Sequence, residues 1–213
     1  MEDKRIQQVE EFVTHMFEKS TQQKYLEHTK RVSNYLDFLC NEEGVDSYLP
    51  RVSALLHDVG MTVDPSFAGH VEKSKMIATA VLPTFGYSQL ELDTVVKIVG
   101  SHHPVPGAAL DSIEEQILFD ADNFDLIGPV GALRWIGSFG LQTSLLSSAE
   151  LFLSINEKCE AARGSLFYTK SARKHAHSAL KSTIDFFGHI ARSAKSNIDG
   201  ALTLPVPFFD VGR

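Results

Sequence analysis

"RVSALLHDVGM", residues 51–61, runs an apolar helical segment straight into His57-Asp58 and then into Val59-Gly60. An imidazole and a carboxylate are costly to bury unless something holds them. The residues Val52 to Leu56 give this segment a core-facing side. Pro50 suits a first helical turn, and Gly60 marks the end. A core helix that closes on a His-Asp pair has a use for that pair.

The flanking chain repeats the helical pattern. Residues 4–20 place Ile6, Val9, Val13, Met16 and Phe17 on one face, and residues 22–40 do the same with Tyr25, Val32, Leu36 and Leu39. Further helices are expected over 70–85, stopped near Pro83, over 88–103, and over 111–128, stopped by Gly128-Pro129. Ser88 with Glu91 fits a capping box, and Asp111 or Ser112 caps the next helix. Two more run from about 141 to 162 and from about 171 to 196. No segment shows convincing period-two alternation, although the tail 201–213 allows a short extended piece. The reading is all-α: one domain over 1–213, with a core at about 20–140, C-terminal helices 141–196 packed on it, and an extended tail 197–213. A chain of 213 residues is long enough for one sizeable core and short for two domains.

Composition narrows the function classes. Hydrophobic residues at 43% and charged residues at 22% describe an ordinary globular protein. No apolar run reaches the roughly 18 residues of a membrane span. The N-terminal "MEDKRIQQVEEF" lacks the apolar centre of a signal peptide. Cys40 and Cys159 stand far apart and outside any CxxC pattern, so free thiols in a reducing, cytoplasmic setting are expected. A net charge of −7 argues against a sequence-independent grip on a nucleic-acid polymer. A small anionic substrate stays open, because a metal ion inverts the local field. Oligomeric state is not legible, and a homo-oligomer is compatible with the apolar tail.

Four polar residues sit where the core should be apolar. His28 shares a face with Val32 and Leu36, His57 and Asp58 follow the apolar run, and Asp122 lies four residues from both Leu118 and Leu126. Each alone reads as a satisfied core histidine, a helix-end Asp, or an Asp paired with an Arg. Together, two imidazoles and two carboxylates lower their burial cost by sharing a cation. Mn, Fe, Co, Ni, Zn and, less well, Mg suit those donors.

The order His28…His57-Asp58…Asp122 resembles the HD superfamily of metal-dependent phosphohydrolases. "LLHDVG" looks like the central motif of that family, and "DADNFDLIGPVGALRWIGSFG" (120–140) is similar to the last-ligand block of its small bacterial-type members. In the family the final metal Asp precedes a basic or polar residue and then an apolar one. That selects Asp122, before Asn123-Phe124, over Asp120 or Asp125. Asn123 stands where a basic residue is frequent. The resemblance implies an all-helical HD fold and one divalent ion held by His28, His57, Asp58 and Asp122. His70, His102 and His103 complete an order compatible with a second ion, or with substrate contact. His15, His175, His177 and His189 read as helix or surface histidines.

A metal with open positions lowers the pKa of water and offsets phosphoryl charge, which suits direct hydrolysis of a phosphate ester or anhydride. No GxSxG, P-loop or GxGxxG points to another route. The expected substrate is a nucleotide or related small phosphate compound. Asp58, His70 and Lys73 are the catalytic candidates, with Lys73 and Arg134 as phosphate contacts. Two readings compete: a di-iron oxygenase of the same superfamily that cleaves a C–C or C–P bond, and a non-catalytic metal-stabilised binding domain. A cyclic-dinucleotide phosphodiesterase would resemble the chain at His57-Asp58 and at His102-His103. It would need Gly-Tyr-Pro after the tandem histidines, where "PVPGAALD" stands.

Overall fold

The computed structural model describes residues 4–66, 69–104, 109–140 and 144–198, and among them no strand occurs. The helices are α1 (Lys4–Glu18), α2 (Lys24–Glu43), α3 (Tyr48–Leu56), α4 (His70–Val81), α5 (Gln89–Gly100), α6 (Ile113–Phe124), α7 (Gly128–Trp135), α8 (Leu145–Arg163) and α9 (Lys170–Ile198). A 3-10 turn, Val59–Thr62, follows the His-Asp pair, another covers Leu82–Phe85, and α7 runs on into a π turn at Ile136–Gly140.

The sequence pattern accounts for most of these elements. α1 buries Ile6, Val9, Val13 and Phe17, the spacing of one helical face. α2 buries His28, Val32, Leu36 and Leu39, and Gly44 closes it in the left-handed region at φ 69°. α5 and α6 open with full capping boxes, Ser88 with Glu91 and Ser112 with Glu115. Of the two candidate caps for α6, Ser112 is the one used.

Gly128-Pro129 corrects the sequence reading. It does not stop α6, which ends at Phe124. It opens α7 instead. Gly128 turns the chain at φ 70°, and Pro129 takes the first turn, where a missing N–H leaves no bond unmade. The described chain therefore holds one α-helix more than the eight expected. α9 reaches Ile198, so residues 197 and 198 are helical, and the rest of the expected tail lies outside the described residues.

Two apolar clusters make up the interior. One joins α2, α6, α7, α8 and α9 through residues such as Leu36, Leu118, Trp135, Phe152, Phe167 and Phe187. The other joins α1, α3, α4 and α5 through Phe17, Leu56, Ala78, Leu82 and Val95. α3 and α5 serve both, since Ala54 and Ile98 face the first while Leu55, Leu56 and Val99 face the second. Polar clamps seat α9. Asp120 of α6 accepts from the amides of Tyr168 at 2.8 Å and Thr169 at 2.7 Å. Glu43 at the end of α2 accepts from the amide and hydroxyl of Ser171 at 3.0 and 2.6 Å. Both cysteines are free and buried.

Candidate metal centre

His28, His57, Asp58 and Asp122 come from α2, the end of α3 and α6, and they meet at the seam between the two clusters. His28 Nε2 lies 3.2 Å from His57 Nε2, 3.4 Å from Asp58 Oδ2 and 3.2 Å from Asp122 Oδ1. All four are buried, at 6% exposure or less. The outer nitrogens fix the tautomers. His57 Nδ1 lies 2.7 Å from the Ala54 carbonyl, which only accepts, so Nδ1 carries the proton. His28 Nδ1 lies 2.7 Å from Asp125 Oδ2 and donates likewise. Two Nε2 lone pairs then face each other at 3.2 Å beside two carboxylates. That arrangement is repulsive unless a cation or a proton stands between them, so the donor set fits a divalent ion.

The electrostatics separate the two imidazoles. Burial pushes the His57 imidazole down to about 4, so it is neutral, the form that ligates metal. Burial would lower His28 too, but its contacts with Asp122, Asp125 and Asp58 outweigh that and raise it to about 10, so without an ion a proton on Nε2 stands between the two imidazoles, and a bound ion takes that proton's place. Asp58 and Asp122 face an upward push from burial. The surrounding imidazoles overcome it and hold both carboxyls well below the usual range.

A second group shares Asp58. Its other oxygen, Oδ1, lies 3.2 Å from His70 Nε2 and 3.6 Å from His102 Nε2, and the two imidazole nitrogens are 3.4 Å apart. His102 Nδ1 is held by the Val99 carbonyl at 2.6 Å, so its Nε2 also faces inward unprotonated when neutral. The His103 ring lies tilted against His102, centroids 4.3 Å apart, and completes a set with ligand atoms close enough to hold a metal. Gly60 makes this group possible. A Cβ on Gly60 would stand 2.1 Å from the His70 carbonyl oxygen, so only glycine lets α4 approach this closely. The Gly60 amide also donates to Ser74 Oγ at 2.9 Å.

Asp125, which the sequence pattern sets aside in favour of Asp122, supports the site from outside. It is 2% exposed, accepts from His28, and binds Arg31 at 2.6 and 3.1 Å. Arg134 donates to its carboxylate and, at 2.9 Å, to its backbone carbonyl. Burial alone would raise the Asp125 carboxyl, but His28, Arg31 and Arg134 bring it below the ordinary range. Asp120, the other rejected aspartate, clamps α9 instead.

A cavity of about 490 Å³ opens from the cluster, a size suited to a small molecule. His28, Asp58, His70, His103, Asp122 and Arg134 line it. His102 is fully buried and is not among the lining residues. Tyr25, read as core, also lines the cavity, edge-on to the His28 ring. Lys73 lies half-buried on α4 and is not among the lining residues. Of the outer histidines, His175 pairs with Glu42 at 2.9 Å on the surface.

The chain is similar to known proteins in family pattern and in fold. The family model of the HD domain matches residues 25–127. A predicted HD superfamily hydrolase from an uncultured Thermotogales bacterium superposes over 88% of this chain and 92% of its own, with a TM-score of 0.60 and 24% identity. An HD-superfamily hydrolase from Bacillus thuringiensis covers 92% and 100%, with a TM-score of 0.67 and 21% identity. Bacillus subtilis YpgQ, solved in complex with ADP, covers 93% and 97%, with a TM-score of 0.63 and 22% identity. At these identities the likeness is one of fold. No curated protein matches the chain. Among the described residues, no helix is long and apolar enough to cross a membrane.

Proposed function

Because this chain belongs to the HD superfamily, we propose that it is a metal-dependent phosphohydrolase, cleaving a phosphate ester or anhydride of a nucleotide or related small phosphate compound. The observation that carries this reading is the convergence of His28, His57, Asp58 and Asp122 at one end of a cavity that Arg134 also lines. Those four side chains hold the ion. A bound divalent ion supplies an activated water and offsets charge on the phosphoryl oxygens. Asp58 has an oxygen turned from His28 toward His70, in position to accept a proton and orient the attacking water. His70, at the first turn of α4, faces the same space as a proton carrier. Arg134, steadied by Asp125, presents positive charge to the substrate phosphate, and Lys73 adds a longer-range charge from α4. The ADP bound to YpgQ supports a small phosphate compound as the ligand class.

Metal analysis of the purified protein tests this, followed by a phosphate- and pyrophosphate-release screen over nucleotides and other small phosphate compounds, alkyl and aryl phosphates included, with several divalent ions. Release that depends on the ion and is lost in His57→Ala and Asp122→Ala is expected. No release with any ion would sink the proposal. The second imidazole group favours one further reading, a di-iron oxygenase, because Asp58 turns one oxygen to each group. Two irons of mixed valence, seen by metal content and spectrum, would favour it.

A further inference from the structure

The cavity has two unlike ends. One carries the His and Asp side chains, and the other is a wall built from α8, α7 and α6. Leu151, Ile155 and Cys159 follow each other at four-residue spacing and so form a single stripe along α8. Leu151, 43% exposed, marks its solvent end, and buried Cys159 its deep end. Phe119, Leu126, Trp135 and Leu166 close the wall. Polar atoms among the described residues of this end are few and mostly occupied. Trp135 Nε1 donates to the Ser148 carbonyl at 2.9 Å, and Asn123 Nδ2 to the Phe119 carbonyl at 2.9 Å. Asn123 Oδ1, the Ser138 hydroxyl and the Cys159 thiol remain as handles. A sugar or polyol placed here would give up its water for few partners in return.

We propose that the substrate carries its phosphate on an apolar body, an alkyl or aryl group, laid along the α8 stripe. This rests on the reading that the phosphate sits at the His/Asp end beside Arg134. Apolar surface, rather than hydrogen bonds to hydroxyls, then sets substrate preference.

The chain has a single tryptophan, Trp135, and it lines the cavity, so its fluorescence reports occupancy without turnover. The full chain, loaded with Zn2+, is titrated with non-hydrolysable probes: methylphosphonate, butylphosphonate, octylphosphonate and 3,4-dihydroxybutylphosphonate. Butylphosphonate should bind at least about tenfold tighter than its dihydroxy analogue, and octylphosphonate about tenfold tighter again. Leu151→Ser, at a site exposed enough to leave folding intact, should weaken octylphosphonate binding about five- to tenfold and leave methylphosphonate unchanged. Equal affinity for the butyl and dihydroxybutyl probes, or no effect of Leu151→Ser, would overturn the inference. So would AMP binding more tightly than octylphosphonate. In each case, metal-dependent phosphate release measured in parallel decides separately whether the hydrolase proposal stands.

Discussion

Asp125 touches no other carboxylate of the cluster, yet it orients His28 and steadies Arg134. Such outer carboxylates commonly tune metal affinity by ten- to a hundredfold. Asp125→Asn should therefore weaken metal binding by about ten- to a hundredfold in competition with a chromophoric chelator; unchanged affinity would show that His28 needs no such support. Gly60→Ala is predicted to fail for a different reason, since the added methyl meets the His70 carbonyl and Ser74. Overpacking of this kind costs roughly 1–3 kcal/mol, a fall in Tm of about 3–10 °C for a chain of this size. Thermal unfolding reads it directly. The four inner side chains were legible in the sequence because each interrupts an apolar face. Asp125 was not. It reaches His28 across 97 positions, and next to Leu126 it looks like any helix-end aspartate. Gly60 was legible only as a helix end, because the close approach of α4 is a non-local fact.

At the scale of helices, the caps matter most where they hold the site. Ser112 accepts from the Glu115 amide and opens α6, which carries Asp122. Ser112→Ala should cost about 1 kcal/mol in denaturant unfolding, as should Ser88→Ala at α5. Only the first is expected to weaken metal binding as well, and equal effects on the metal would count against this assignment. Asp120→Ala removes the acceptor of two amides at the entry to α9, and charged hydrogen bonds of this sort contribute about 1.5–3 kcal/mol each. Loss of stability without loss of metal affinity is the expected result. Helical periodicity and capping residues made most elements legible. α7 escaped because Gly-Pro both ends and begins helices. Only the packing of Gly128 against α9, where its amide meets Thr183 Oγ1 at 2.7 Å, resolves which.

Across the whole molecule, the candidate centre sits where two apolar clusters meet, and it draws side chains from elements serving both. An ion bound there links α2 and α6 to α3, and the second group adds α4 and the end of α5. Chelation should then lower Tm, by an amount that grows with free metal concentration. Saturation at a hundred times the Kd contributes about 2.7 kcal/mol. A Tm indifferent to chelator would mean that the ion does not bridge the clusters. The two imidazole groups also differ in dispensability. Asp58 gives one oxygen to each, so its loss dissolves both at once. His70 and His102 reach Asp58 through Oδ1, and although the His102 ring also packs edge-on against His57 at 5.1 Å, the contacts among His28, His57 and Asp122 do not run through either. The arrangement is nested: the inner set can outlive the outer, while the outer set cannot exist without a residue of the inner.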